Sequence, residues 1–151
     1  MPTCGVPACA AARRAHDREW STMAAPRILI VEDHRFFSEA LRLMLGRRLS
    51  EEHGEDAEFR LAATLADGLR IADEERPFDV AIVDLVLPDG DGTEVVRRIK
   101  ASYPETWVAV LSSVLDISGA LEAGSDEALG KAVPLQEVLG RLASGGGRPA
   151  T

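Results

Sequence analysis

Past Cys9 the chain has no cysteine, and its only two, Cys4 and Cys9, lie five positions apart with no second pair elsewhere. That excludes a disulfide framework and a thiolate zinc site. It fits a cytoplasmic setting, where thiols stay reduced, and the cytoplasm is the expected location. No apolar run reaches the ~18 residues that cross a bilayer, so no membrane partner is expected. Positive charge is in deficit: 25 acidic residues face 17 basic ones, for a net charge of −8. A surface of that sign repels phosphate backbones, so direct nucleic-acid binding by this chain is not expected. Lysine is scarcer still, with Lys100 and Lys131 alone among those 17 basic residues. Internal repeats are absent.

What remains is an ordinary globular composition, 46% hydrophobic and 28% charged over 151 residues. One domain accounts for it, with about 25 to 30 residues to spare. Residues 1–25 read as a disordered extension. They hold Ala8, Ala10, Ala11, Ala12, Arg13 and Arg14 without an apolar face, and the arginines follow the short apolar stretch instead of preceding it, unlike a secretory signal. Met23 offers a second start. From Ser144 to Thr151 a glycine run and Pro149 read as a flexible linker, with an output domain expected beyond it. The folded unit is expected at 26–143.

Within that unit the hydrophobic period alternates. Ile28 to Val31, Val80 to Val83 and Val108 to Leu111 are short unbroken apolar runs, as strands buried on both faces require. Ala57 to Leu61 reads as a half-buried edge strand and Ala128-Leu129 as a brief fifth. Between them, Phe37, Ala40, Leu41, Met44 and Leu45 recur at helical spacing. Thr64 with Asp67 resembles a helix cap, followed by Leu65, Leu69 and Ala72, and Arg76-Pro77 stops that helix. Further helices are expected at Thr93 to Lys100, at Ile117 to Ala123, and after Pro134, with Leu135, Val138, Leu139 and Leu142 facing inward. Five strands alternating with five helices imply a parallel sheet covered on both faces, an α/β doubly wound fold. In such sheets functional residues gather at the carboxyl ends of the strands.

Glu32 and Asp33 follow the first strand and Asp84 follows the third. Like charges ~4 Å apart repel by about 4 kcal/mol at an effective dielectric near 20, so three converging carboxylates do not serve stability. They suit a hard divalent cation, and all-oxygen ligands select Mg²⁺. Ser112 and Ser113 follow the fourth strand, and Lys131 the fifth. A hydroxyl and an ammonium beside such a cluster complement a phosphoryl group. In a chain that uses arginine almost everywhere, a lysine here suggests a need for a compact point charge.

The run Ile28-Leu29-Ile30-Val31-Glu32-Asp33-His34 resembles the opening of a response-regulator receiver domain. So do Asp84-Leu85-Val86-Leu87-Pro88-Asp89-Gly90-Asp91-Gly92, Leu111-Ser112-Ser113, and Gly124-Ser125 with Lys131. The resemblance covers about residues 26–143, and its motifs stand in the right order. It implies a flavodoxin-like five-stranded sheet of order 2-1-3-4-5. It also implies that Asp84 accepts a phosphoryl group from a sensor histidine kinase or phosphotransfer protein. Glu32, Asp33, Asp84 and the Val86 backbone carbonyl would hold Mg²⁺, with Mn²⁺ able to substitute, and Ser112 and Lys131 would contact phosphoryl oxygens. A second copy of the chain is a further implied partner, and the implied output is transcriptional.

Three positions depart from that family's pattern. Ala128 stands where an aromatic is usual, and Ala132 where proline usually follows the lysine. The stretch from Ser112 to Gly124 is about three residues short, nearly one helical turn, so a stunted fourth helix is expected within 113–123. These departures leave room for a pseudo-receiver that signals without phosphate. A second rival reads Asp89-Gly90-Asp91-Gly92-Thr93 as the nucleophile loop of a haloacid-dehalogenase-type phosphatase, with Asp89 attacking. That loop must leave its strand at the first Asp, whereas here the strand runs into Asp84 and Pro88 intervenes. A calcium-loop reading fails because Arg98 falls at the bidentate acid position. His16, His34 and His53 lack metal-ligand spacing, and His34 reads as a helix-start residue at the mouth of the site.

Overall fold

The structure, a computed structural model, describes residues 25–54, 56–113 and 118–145. Cys4, Cys9, His16 and the expectations placed on the first 24 and last six residues lie outside that range. The first strand, β1 (Arg27–Val31), leads into helix α1 (Arg35–His53). Then come β2 (Glu58–Ala62), α2 (Leu65–Glu74), β3 (Val80–Val83) and a short hairpin, β4 (Val86–Leu87) with β5 (Gly90–Asp91). Helix α3 (Thr93–Ser102), β6 (Trp107–Ser112), α4 (Ser118–Glu122), β7 (Glu127–Gly130) and α5 (Leu135–Gly145) are the remaining elements among the described residues. No described helix is long and apolar enough to cross a membrane.

The five long strands form one parallel sheet in the order β2-β1-β3-β6-β7. Counted without the hairpin strands, this is the flavodoxin-like order 2-1-3-4-5. Every residue of β3 and β6 is buried, as the unbroken apolar runs require, while β2 at the edge is only partly so. Alternate residues of one strand therefore face different cores. Ile28 and Ile30 pack with Leu41, Leu45 and Leu49 of α1 and with Val138, Leu139 and Leu142 of α5. Leu29 and Val31 pack with Leu65 and Ile71 of α2 and with Val95, Val96 and Ile99 of α3.

Local chemistry sets the element ends. Thr64 Oγ1 accepts the Asp67 N–H at 3.1 Å and caps α2. Gly54 closes α1 in a left-handed conformation (φ 76°), its N–H donating to Ser50 O, where a Cβ would be strained. Two details differ from the sequence reading. The hairpin β4–β5 has strands of two residues, too short to leave a periodic signature. Helix α5 continues to Gly145, because a glycine at a helix end need not mark a linker. Of the fourth-helix segment, the described part is the five-residue α4, and residues 114–117 lie outside the description.

Candidate functional site

The carboxyl edge of the sheet gathers the charged groups because β1 and β3 are neighbours in register. Val31 pairs with Val83, so the residues that follow them, Glu32 and Asp84, emerge side by side. Backbone bonds fix both: Glu32 N–H donates to Ala62 O and Asp84 N–H to Val31 O, each at 2.9 Å. Beyond β3 lies β6, with Val83 opposite Val110, so Ser112 reaches the same edge and is fully buried. Its carbonyl accepts the Lys131 N–H at 2.8 Å, which sets where β7 delivers that side chain.

Lys131 then spans the pocket. Its Nζ lies 2.6 Å from Glu32 Oε1 and 3.1 Å from Asp84 Oδ2. The Phe37 ring supports the ammonium at 4.8 Å, a cation–π contact. Both carboxylates are almost wholly buried, so an unpaired charge here would be costly. Burial pushes the Glu32 carboxyl up, but the Lys131 ammonium and the His34 backbone and ring groups outweigh it and hold Glu32 below its ordinary value. Burial wins at Asp84, which stays above its ordinary value despite the Val86 N–H and Lys131, with the Glu32 charge adding to the rise. Burial pushes Lys131 down, and its two carboxylate partners more than reverse that.

One oxygen or nitrogen from each of Glu32, Asp33, His34 and Asp84 lies within 4.8 Å of all the others. Asp33 Oδ1 is buried yet has no hydrogen-bond partner. A buried carboxylate oxygen beside two further acids, with no donor of its own, fits a divalent cation. The donor set and the orphaned oxygen both pass that test.

Of the expected site residues, Glu32, Asp33, Asp84 and Lys131 come together directly, and Ser112 stands at the same strand edge. Val86 opens the hairpin, exposes its side chain and donates its N–H to Asp84 Oδ1 at 3.2 Å. Asp89 is elsewhere. It occupies the hairpin turn, where its carboxylate accepts the Leu65 and Ala66 N–H groups at 2.7 and 3.0 Å. Those bonds, at the start of α2, hold its carboxyl below the ordinary value. Asp89 is thus held at the start of α2, away from the acid pocket, which favours an anchoring role over an attacking one. Asp91 likewise accepts the Thr93 N–H and helps start α3. Ala128 sits opposite Val110 and packs against the core on the α2–α3 side.

Sequence reasoning missed one member of the site and one anchor of the neighbouring hairpin. Phe37 reads as a core residue of α1, and nothing local reveals that β7 brings Lys131 over its ring. The anchoring role of Asp89 had a signal in the Pro-Asp-Gly turn, but its partner lies 24 residues away.

Residues 28–143 match the family model described as the response regulator receiver domain. The chain is 36% identical over 120 residues to the KDP operon transcriptional regulatory protein KdpE of Escherichia coli K12, covering 76% of this chain and 48% of that protein. It is 37% identical over 124 residues to the transcriptional regulatory protein PrrA of Mycobacterium tuberculosis, covering 80% and 49%. The chain thus spans about half the length of these curated relatives. Among solved structures it is similar to a CheY-like receiver domain protein from Methanospirillum hungatei JF-1. The TM-score there is 0.67 at 25% identity, covering 80% of this chain and 93% of that one.

Proposed function

Because the chain belongs to the response-regulator receiver family, we propose that it accepts a phosphoryl group on Asp84 and passes the resulting change to an output partner. The donor would be a sensor histidine kinase or a phosphotransfer protein. Receiver domains are signalling domains, so Asp84 is a phosphoacceptor and not a turnover catalyst. The acting unit is residues 26–143, with α5 running two residues past it to Gly145. The observation that carries the reading is the single ammonium of Lys131 between two buried carboxylates, 2.6 Å from Glu32 and 3.1 Å from Asp84.

In the transfer, an Asp84 carboxylate oxygen attacks phosphorus, the new O–P bond forms, and the donor's N–P or O–P bond breaks. Lys131 exchanges its Asp84 contact for a phosphoryl oxygen. The Ser112 hydroxyl donates to another. Glu32, Asp33, Asp84 and the Val86 backbone carbonyl would hold Mg²⁺, or Mn²⁺ in its place, and the ion would offset repulsion between the carboxylate and the incoming anion. Ser112 and Lys131 then follow the added charge, and that movement is the switch. Ala128 has no ring to swing inward, so the readout falls to this strand edge and to α4. A transcriptional output, as the names of the relatives KdpE and PrrA suggest, would belong to sequence beyond this chain. A second copy of the chain is the other partner proposed.

Incubation with acetyl phosphate and Mg²⁺ followed by intact mass tests the reading. The expected result is a gain of one phosphoryl group, lost in Asp84→Asn and with chelator. Absence of an adduct with this donor and with any cognate kinase would overturn it in favour of a pseudo-receiver, the reading that Ala128 favours.

A further inference from the structure

His34 stands at the N-cap of α1 but its side chain makes no capping bond. The ring turns back toward the acids instead. Its Nδ1 lies 2.9 Å from Glu32 Oε2 and 3.5 Å from Asp33 Oδ1. The His34 backbone N–H donates to the same Glu32 oxygen at 2.9 Å, so the turn that aims the ring is held from the main chain. Burial does not explain the orientation, because the side chain is 71% exposed. In a six-coordinate ion with ~2.1 Å bonds, adjacent ligands stand about 3 Å apart. The spacing of Nδ1 from its two carboxylate neighbours is close to that, and the Asp33 oxygen has no hydrogen-bond partner.

We propose that His34 Nδ1 is a protein ligand of this site, which makes it a mixed nitrogen–oxygen centre. The ions it favours are divalent transition metals that accept imidazole, Mn²⁺ and more strongly Co²⁺ or Zn²⁺. This rests on the reading of the acid pocket as a divalent-cation site and names the ion class that the pocket prefers. Oxygen-only pockets suit Mg²⁺, whereas each nitrogen donor adds affinity along the first-row series and little for Mg²⁺. Lys131 sits on Glu32 Oε1 and the ring on Oε2, so the two cations do not compete for one oxygen. For ligation the imidazole carries its proton on Nε2 and offers the Nδ1 lone pair. The hydrogen bond to Glu32 is then replaced by a shared ion.

The test uses the full chain with Mg²⁺, Mn²⁺, Co²⁺ and Zn²⁺, by calorimetric titration, and pulsed EPR of the Mn²⁺-loaded protein. His34→Asn keeps a good helix-capping residue, and His34→Ala is the second variant. Expected is a fall of about tenfold or more in Co²⁺ and Zn²⁺ affinity in both variants, with Mg²⁺ affinity changed less than about twofold. The EPR should show imidazole nitrogen modulation in the parent chain that both variants lack. Unchanged Co²⁺ and Zn²⁺ affinities, or no nitrogen modulation, with Mg²⁺ binding intact, would overturn the ligand role of His34 alone. A parent chain that binds none of the four ions would overturn the cation reading beneath it.

Discussion

At Asp84 the folded chain holds a carboxyl above its ordinary value, first through burial and then through the Glu32 charge. A raised folded pKa means that the folded state binds this proton more tightly than the unfolded state. The stability tied to Asp84 is therefore fully present below the unfolded value and is lost as pH rises through the folded one. At neutral pH, without a divalent ion, the ionised side chain works against the fold. Asp84→Asn removes that charge and keeps an oxygen to accept the Val86 N–H. Thermal melting in chelator at pH 7 should show the variant a few degrees more stable than the parent, with the gap closing toward pH 4. A variant less stable at pH 7 would show that Lys131 already balances the pair. Glu32 runs the other way: its lowered value gives stability above the unfolded pKa that is lost as pH falls. Because the Glu32 and Asp84 charges interact and share Lys131, the comparison reads the coupled pair. Such opposite shifts were not legible in the sequence. The run Val31-Glu32-Asp33 shows that acids follow a strand, but which of them Lys131 neutralises depends on β7 lying three strands away in the sheet.

Between β3 and α3, the hairpin β4–β5 is the element that braces the strand end bearing Asp84. Gly92 N–H closes it onto Leu85 O at 2.8 Å, and Asp89 ties its turn to the start of α2. An added Cβ at Gly92 would come within 2.0 Å of the Asp84 carbonyl oxygen, which is backbone and cannot swing aside. Gly92→Ala must therefore shift the strand end that carries Asp84, the proposed phosphoacceptor. A misplacement near 1 Å costs about 100-fold in rate when geometry governs the reaction. Phosphorylation by acetyl phosphate should slow by about that factor, while circular dichroism shows the helices and sheet retained. An unchanged rate would mean that the loop relaxes without moving Asp84. The hairpin was illegible because two residues per strand give no alternation to read. By contrast, β1, β3 and β6 were legible from four-residue apolar runs, and α2 from a cap followed by a helical face. The two partly exposed edge strands were read less sharply, since half-burial blurs the pattern: β2 was placed one residue early, and β7 was seen only at its centre.

Across the molecule, one sheet separates two cores, and the acid pocket lies at the edge where both layers end. The alternation of strands and helices made the two-layer cover legible. The order of the strands was not, because periodicity says nothing about which strand neighbours which; the order came with the family resemblance. That order is what brings Glu32 and Asp33, at the end of β1, together with Asp84, at the end of β3. Their mutual repulsion is a global cost, since it is relieved whenever the chain unfolds and the strand ends part. A divalent ion that binds the assembled trio and not the unfolded chain should stabilise the whole domain by about 2.7 kcal/mol at a hundredfold excess over its Kd. For a domain of this size that is a rise of several degrees in Tm. The orphaned Asp33 Oδ1 makes this residue the sharpest control, because Asp33→Ala removes a ligand without breaking any hydrogen bond to that oxygen. Melting with and without millimolar Mg²⁺ should show the increment in the parent chain and little of it in Asp33→Ala. Monovalent salt at matched ionic strength, which screens the net charge of −8 equally in both chains, should reproduce only a small part of it. An equal Mg²⁺ effect in parent and variant would assign the stabilisation to general screening and leave the acids without a bound ion.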